Sequence, residues 1–354
     1  MTQVPFAVAI ELDGEGSHPA AALVADTARA LSPRRVAETA LAAERHGFTA
    51  VTFEDAPLPH GDVARLDAVQ RAAYVAPLTS GIGLLPVASV AFSEPFHVAT
   101  QLASVDYASK GRAGWIVRAV GDAAEAAAYG RAAIDDPAEL RREADDAIEV
   151  ARRLWDSWQD DAVIRDVATG RYLDADRLHY ADFEGAAYSV KGPSIVPRPP
   201  QGQLVVGAGH AGDVEIVLVS APDEDGVAVK AKAAREEGAS RVFAEIEYIL
   251  DSRGVTASDR LAELDARAAW HPGDRLRFTG DAAGFAALVA RLAEVVDGVR
   301  LHPAVVDDDL GEAGRIVVPA LRETVGFRSP VAGATLRETL GLPKPANRYE
   351  RSAA

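Results

Sequence analysis

Apolar residues fall along this chain in short runs, separated by longer stretches in which apolar positions return every third or fourth residue. Runs of the first kind predict buried strands, and stretches of the second kind predict amphipathic helices. "FAVAIEL" (Phe6 to Leu12) opens as a strand. "SPRRVAETALAAERHGF" follows as a helix, with Ser32 as N-cap, Pro33 at the first helical position and Gly47 just past its end. The alternation continues through "TAVTFED", "GIGLLPVAS" and "AGWIVRAV" as strands, with helices between them and a long helix capped by Asp136. In the second half "QLVVGAG", "VEIVLVSA", "SRVFAEIEYIL" and "DGVRLHP" repeat the theme. The predicted strands begin near Phe6, Thr49, Gly81, Ala113, Gln203, Val214, Arg241 and Gly298, with amphipathic helices around them. Eight such units favour a closed α/β barrel, the (β/α)8 TIM barrel, over an open doubly wound sheet.

One stretch breaks this rhythm. Between the fourth and fifth strands, residues of about 165–202 carry near-alternate aromatics, glycine turns and a proline-rich exit. They predict an inserted excursion with a small hairpin lying over a barrel end, because its aromatics need something to cover. The chain, 1–354, reads as one barrel domain with this insertion.

Composition narrows the chemistry. Cysteine is absent, which removes disulfides, thiolate catalysis and Cys-type metal sites. The net charge of -16, with acidic and basic residues interspersed, argues against nucleic-acid or anionic-membrane partners. No long uncharged apolar segment stands in the chain, and the N-terminus lacks the pattern of a secretory signal, so a cytoplasmic protein is expected.

In a barrel of this kind the reactive groups follow the strands. After the first come Asp13, Gly14, Glu15, Gly16, Ser17 and His18; after the second Glu54 and Asp55; after the third Ser89; after the fourth Arg118; after the fifth Gly207, Gly209 and His210. Arg118 closes an otherwise apolar run, where it is placed to meet an anion or a ligand ring. "GAGHAG" (Gly207 to Gly212) is either a backbone cradle for a phosphate or an ordinary tight turn, and it is not a dinucleotide fingerprint. No two of the eight histidines have metal-binding spacing, so no metal is expected. His46 reads as structural and His97 as packing, whereas His18 and His210 sit where polar contact or proton transfer is useful. Trp155 and Trp158, three residues apart on one helix, read as core or interface anchors, and "PRPPQG" as a rigid entry to the fifth strand.

The order of "GSHP", "GFTAVTFED", "EPFHVATQLASVDYASKGRAGW", "RRLWDSWQDDAV", "FEGAAYSVKGPSIVPRPPQGQ" and "TLRETLGLPKPANRYE" resembles the bacterial luciferase-like flavin-dependent monooxygenases, most of all the nitrilotriacetate and dibenzothiophene-sulfone monooxygenase branch. The resemblance implies a barrel, dimeric or larger, that takes reduced FMN from a separate flavin reductase and uses O2, through a flavin C4a-peroxide, to oxygenate a small organic substrate. It implies cofactor contacts at Asp55, Ser89 and Gly207 to His210, and catalytic roles for His18 and His271. Several usual contacts are replaced here, among them an asparagine by Ile116, a hydroxyl residue by Ala119 and a serine by His210. Arg118, Arg141 and His210 are the substitutes able to restore donors to a phosphate or ring edge. The alternative reading of these losses is a non-catalytic barrel serving as a binding or partner subunit, and a minor third is a barrel for a deazaflavin.

Overall fold

The computed structural model describes residues 5–12, 14–23, 31–55, 58 and 65–350, so Asp13 lies outside the described residues. Its strands are β1 (Ala7–Glu11), β2 (Ala50–Phe53), β3 (Gly83–Ser89), β4 (Gly114–Arg118), β5 (Val163–Asp166), β6 (Arg171–Leu173), β7 (Phe183–Glu184), β8 (Ser189–Val190), β9 (Val205–Ala208), β10 (Ile216–Val219), β11 (Arg241–Leu250), β12 (Leu276–Gly280) and β13 (Gly298–Pro303). Parallel pairing runs β1–β2–β3–β4–β9–β10–β11–β13 and back to β1, which closes the eight-stranded barrel read from the hydropathy pattern. A ninth parallel strand, β12, was not expected. The ten-residue β11 outruns its neighbour β10, and β12 pairs with the free part of that edge at Ile246 to Leu250.

Alternation along the barrel strands sorts side chains to two faces. Val8, Ile10, Val51, Phe53, Trp115 and Val117 point outward into the layer shared with the helices. Ala7, Ala9, Ala50, Leu85, Val87, Ile116, Val205, Ile216, Leu218 and Phe243 fill the lumen as a separate apolar cluster. Leu336, on the short helix Leu336–Thr339, and Leu340 join that cluster. Gly83 and Gly114, the first residues of their strands, make room for Leu336: a Cβ on either would meet a Leu336 methyl at 2.7 or 3.1 Å. The tail therefore plugs the amino ends of the strands, and the carboxyl ends are left for chemistry.

The helix caps follow the sequence reading. Asp136 accepts from the amide of Ala138 at the head of the helix Pro137–Asp156, and Gly47 ends the helix Pro33–His46 in the left-handed region. Ser32 stands at the N-cap of that helix without a side-chain capping bond.

The excursion corrects one expectation. It forms two antiparallel hairpins, β5–β6 and β7–β8, where one was expected. Arg153 of the helix Pro137–Asp156 stacks over Phe183, and the exit segment is tied down by Arg198, which pairs with Asp156 and Asp160. Trp155 is buried, with its indole N–H donated to the Ala99 carbonyl, and Trp158 donates to that of Ser194. Both act as packing anchors.

Candidate active site

Above the apolar storeys the lumen turns abruptly polar. By the same alternation Glu11, Thr52, Glu54, Ser89, Arg118, Ser220, Glu245, Glu247, Arg300 and His302 occupy its upper levels. Arg300 is the hub. Its guanidinium pairs with Glu11, with Glu245 at 2.9 Å and with Glu54 at 3.3 Å, and its Nε donates to Thr52 Oγ1 at 3.0 Å. Thr52 donates to Glu11 in turn, while Glu245 also accepts from Ser220 Oγ at 2.7 Å and from His302 Nε2 at 3.3 Å. Burial drives His302 down to about 4, so the ring is neutral. Glu245 lies well below the ordinary carboxylate range: burial opposes that shift, and the bond from His302 with the charge of Arg300 outweighs it.

This polar storey floors a cavity of about 480 Å3 at the carboxyl ends of the strands. Its walls include Glu54, Arg118, Arg141, His210, Arg275 and Arg300. Arg118 is held in a two-point ion pair with the buried Glu125, so its charge is fixed in place. Arg141 donates to the Ala211 carbonyl at 2.8 Å, and His210 shares Asp145 with it.

The structure brings some expected residues together and sends others away. Arg118, Arg141, Gly209 and His210 all line the cavity. A Cβ on Gly209 would meet nothing within 4 Å, whereas one on Gly207 would lie 2.9 Å from the Ile116 side chain, so Gly207 serves close packing inside the barrel. Ser89, beside Arg118 in the β3–β4 register, keeps a buried hydroxyl with no hydrogen-bond partner among the described residues. Asp55 follows the outward-facing Phe53, and its carboxylate accepts from the Ala68 amide at 3.0 Å; Glu54 takes the inward place instead.

His18 is not among the cavity-lining residues. It is buried, tilted against Trp270, and accepts from the Ala20 amide at Nδ1, which leaves Nε2 to donate to Asp265 at 3.2 Å. Burial lowers its pKa, so it is a neutral rim fixture. His271 is exposed on the approach to β12, and its carbonyl accepts from Arg277.

Glu11, Glu245, Arg275, Arg300 and His302 were not singled out from the sequence. A signal was there: "FAEIEYIL" and "GVRLHP" place charged or polar residues two apart inside apolar strands, the spacing of a lumen face.

A closed parallel barrel with a polar, concave mouth at its strand ends has the architecture of barrel enzymes, and comparison with known proteins agrees. Residues 10–312 match the family described as luciferase-like monooxygenase. N-acetyl-S-(2-succino)cysteine monooxygenase of Bacillus subtilis (strain 168) is 28% identical, with 78% of this chain and 81% of that protein aligned. Nitrilotriacetate monooxygenase component A of Aminobacter aminovorans is 27% identical over 78% of each. Among solved structures, riboflavin lyase with modified FMN and riboflavin superposes with a TM-score of 0.81 at 22% identity, covering 97% of both chains. The chain belongs to the luciferase-like monooxygenase family, whose members are enzymes that act on small organic substrates. The alternative of a non-catalytic barrel finds no support among these relatives.

Proposed function

We propose that the mouth cavity binds reduced FMN and that the protein uses it with O2 to oxygenate a small organic substrate. The observation that carries this reading is the cavity itself, whose volume of about 480 Å3 lies in the range of cofactor sites. The residues present fit a flavin phosphate and ring. Arg141, half exposed, and His210 stand beside Gly209, where the backbone has open space, and together they would hold the phosphate. The partnerless Ser89 hydroxyl, Arg118 and Glu54 would meet polar ring edges.

When bound, the reduced flavin supplies the two electrons that activate O2. The chain's own part is positional. The Arg300 hub fixes the cavity floor, the Arg118–Glu125 pair fixes one wall, and His18 with Trp270 fixes the rim. In this reading His18, buried against Trp270, and His271, on the approach to β12, are the candidate catalytic histidines. Reduced FMN comes from a separate flavin reductase, the protein works in the cytoplasm as a homo-oligomer, and Asp55 and Gly207 support the site from behind.

Single-turnover reoxidation of reduced FMN by O2 tests the proposal without knowledge of the substrate. The rate is expected to change with protein concentration and to saturate. A rate indifferent to the protein, and equal to that of free flavin, would refute it.

A further inference from the structure

Among the described residues, the upper lumen and its edge hold more acid than base. Glu11, Glu54, Glu245 and Glu247 face Arg275, Arg277 and Arg300, with Arg118 already neutralised by Glu125 and His302 uncharged. Four carboxylates against three guanidiniums leave one negative charge among side chains that are buried or only partly exposed. Such a surplus is relieved when one carboxyl keeps its proton.

The partners show which one. Glu11 receives Arg300, the Thr52 hydroxyl and the amide of Glu54 at 2.8 Å. Glu245 receives Arg300, His302 and Ser220. Glu247 receives two bonds from Arg277, at 3.0 and 2.8 Å. Among the described residues Glu54 has a single side-chain hydrogen bond, with Arg300 at 3.3 Å, on a nitrogen that Glu11 holds more closely. It is also the member most open to the cavity, its side chain 26% exposed against 7% for Glu11 and 12% for Glu245.

We propose that Glu54 is the protonated member of this cluster and the acid that the cavity presents to a bound ligand. Glu11 from β1, Arg118 from β4, Glu245 from β11, Arg275 ahead of β12 and Arg300 from β13 face it. Burial raises its pKa and the like charge of Glu11 adds to the rise, against the lowering by Arg300, Arg275 and Arg118. Resting on the flavin reading, this group completes the proton balance. One atom of O2 enters the product and the other leaves as water, both electrons coming from the reduced flavin. If that flavin enters as its monoanion, it brings one of the two hydrogens of the water. Glu54 gives the second as a proton and recovers it from solvent.

The test begins on the protein alone, by infrared difference spectroscopy. At pH 7 the wild type is expected to show a protonated-carboxyl carbonyl band that Glu54→Gln removes; Asp106, also buried and raised to about 7, keeps its own band in both. Glu11→Gln, which lifts the charge surplus while leaving Glu54 in place, is expected to move the Glu54 band to lower pH by about one unit or more. A wild-type spectrum that Glu54→Gln leaves unchanged overturns the proposal, and so does a band indifferent to Glu11→Gln. The second arm follows oxygenation chemistry against pH. The wild-type rate should fall as pH rises through the Glu54 pKa, and Glu54→Gln should lose that limb. Presence of the band without FMN binding would sink the flavin reading and leave the protonated Glu54 standing.

Discussion

At the scale of single residues, Arg118 shows what a misplaced charge in a strand is for. It ends β4 on the lumen face, its guanidinium gripped by a carboxylate whose side chain is only 6% exposed. Removing one partner of such a pair leaves a buried charge uncompensated, which costs about 3–5 kcal/mol, whereas replacing both with apolar groups of similar size costs much less. Arg118→Ala is therefore expected to lower the urea midpoint strongly, and Arg118→Met with Glu125→Leu to recover most of the loss. Equal losses in the single and double variants would show that the pair is not the source of the effect. The sequence marked Arg118 as unusual, yet its anchor on Glu125 was invisible, because the partner lies beyond a turn whose course depends on tertiary packing. Asp55 and Glu54 make the same point: adjacent acids after β2 were both candidates, and only the facing of the strand decides that Glu54 enters the cavity.

At the scale of elements, the strands and helices were legible because burial imposes periods of two and 3.6 that survive in the residue pattern. What was not legible is where a strand outruns its neighbour. β12 is short, and three of its five residues, Arg277, Phe278 and Gly280, are only partly buried, so it gives no apolar run; it exists because β11 offers a free edge. The tail helix was likewise read only as part of a resemblance, although it closes the barrel. Leu336→Ala should open a void between the ends of β3 and β4 and cost about 2–5 kcal/mol by chemical denaturation. A cost near zero would mean that the lumen is not sealed from below. Asp106 ties the helix Pro95–Ser109 to the proline-rich exit, accepting from the Gln201 side chain and from the Ala113 amide. Burial pushes its carboxyl up to about 7, so the native state binds its proton more tightly than the unfolded chain does. Its contribution to stability is complete below the unfolded value near 4 and is lost as pH rises toward 7. The stability of the wild type relative to Asp106→Asn should thus decline between about pH 4 and pH 7, by up to about 1.4 kcal/mol per pH unit. His302 titrates in the opposite sense but is common to both chains and cancels in the difference; parallel stability curves would contradict the assignment.

At the scale of the whole molecule, the apolar plug, charged floor and open mouth form one axis, with apolar packing at the amino ends of the strands and polar groups at the other. The resemblance read from the motifs carried the fold and family correctly, while the arginine and glutamate storey in the lumen had to be seen in space. The central claim is that this mouth holds FMN with its phosphate at Arg141 and His210. Calorimetric titration of the wild type and of Arg141→Ala with FMN and with riboflavin tests it most directly. FMN should bind the wild type about ten- to a hundredfold more tightly than riboflavin, the worth of a charge-assisted phosphate contact, and Arg141→Ala should erase most of that preference. Equal affinity for the two ligands, or binding of neither, would contradict the account.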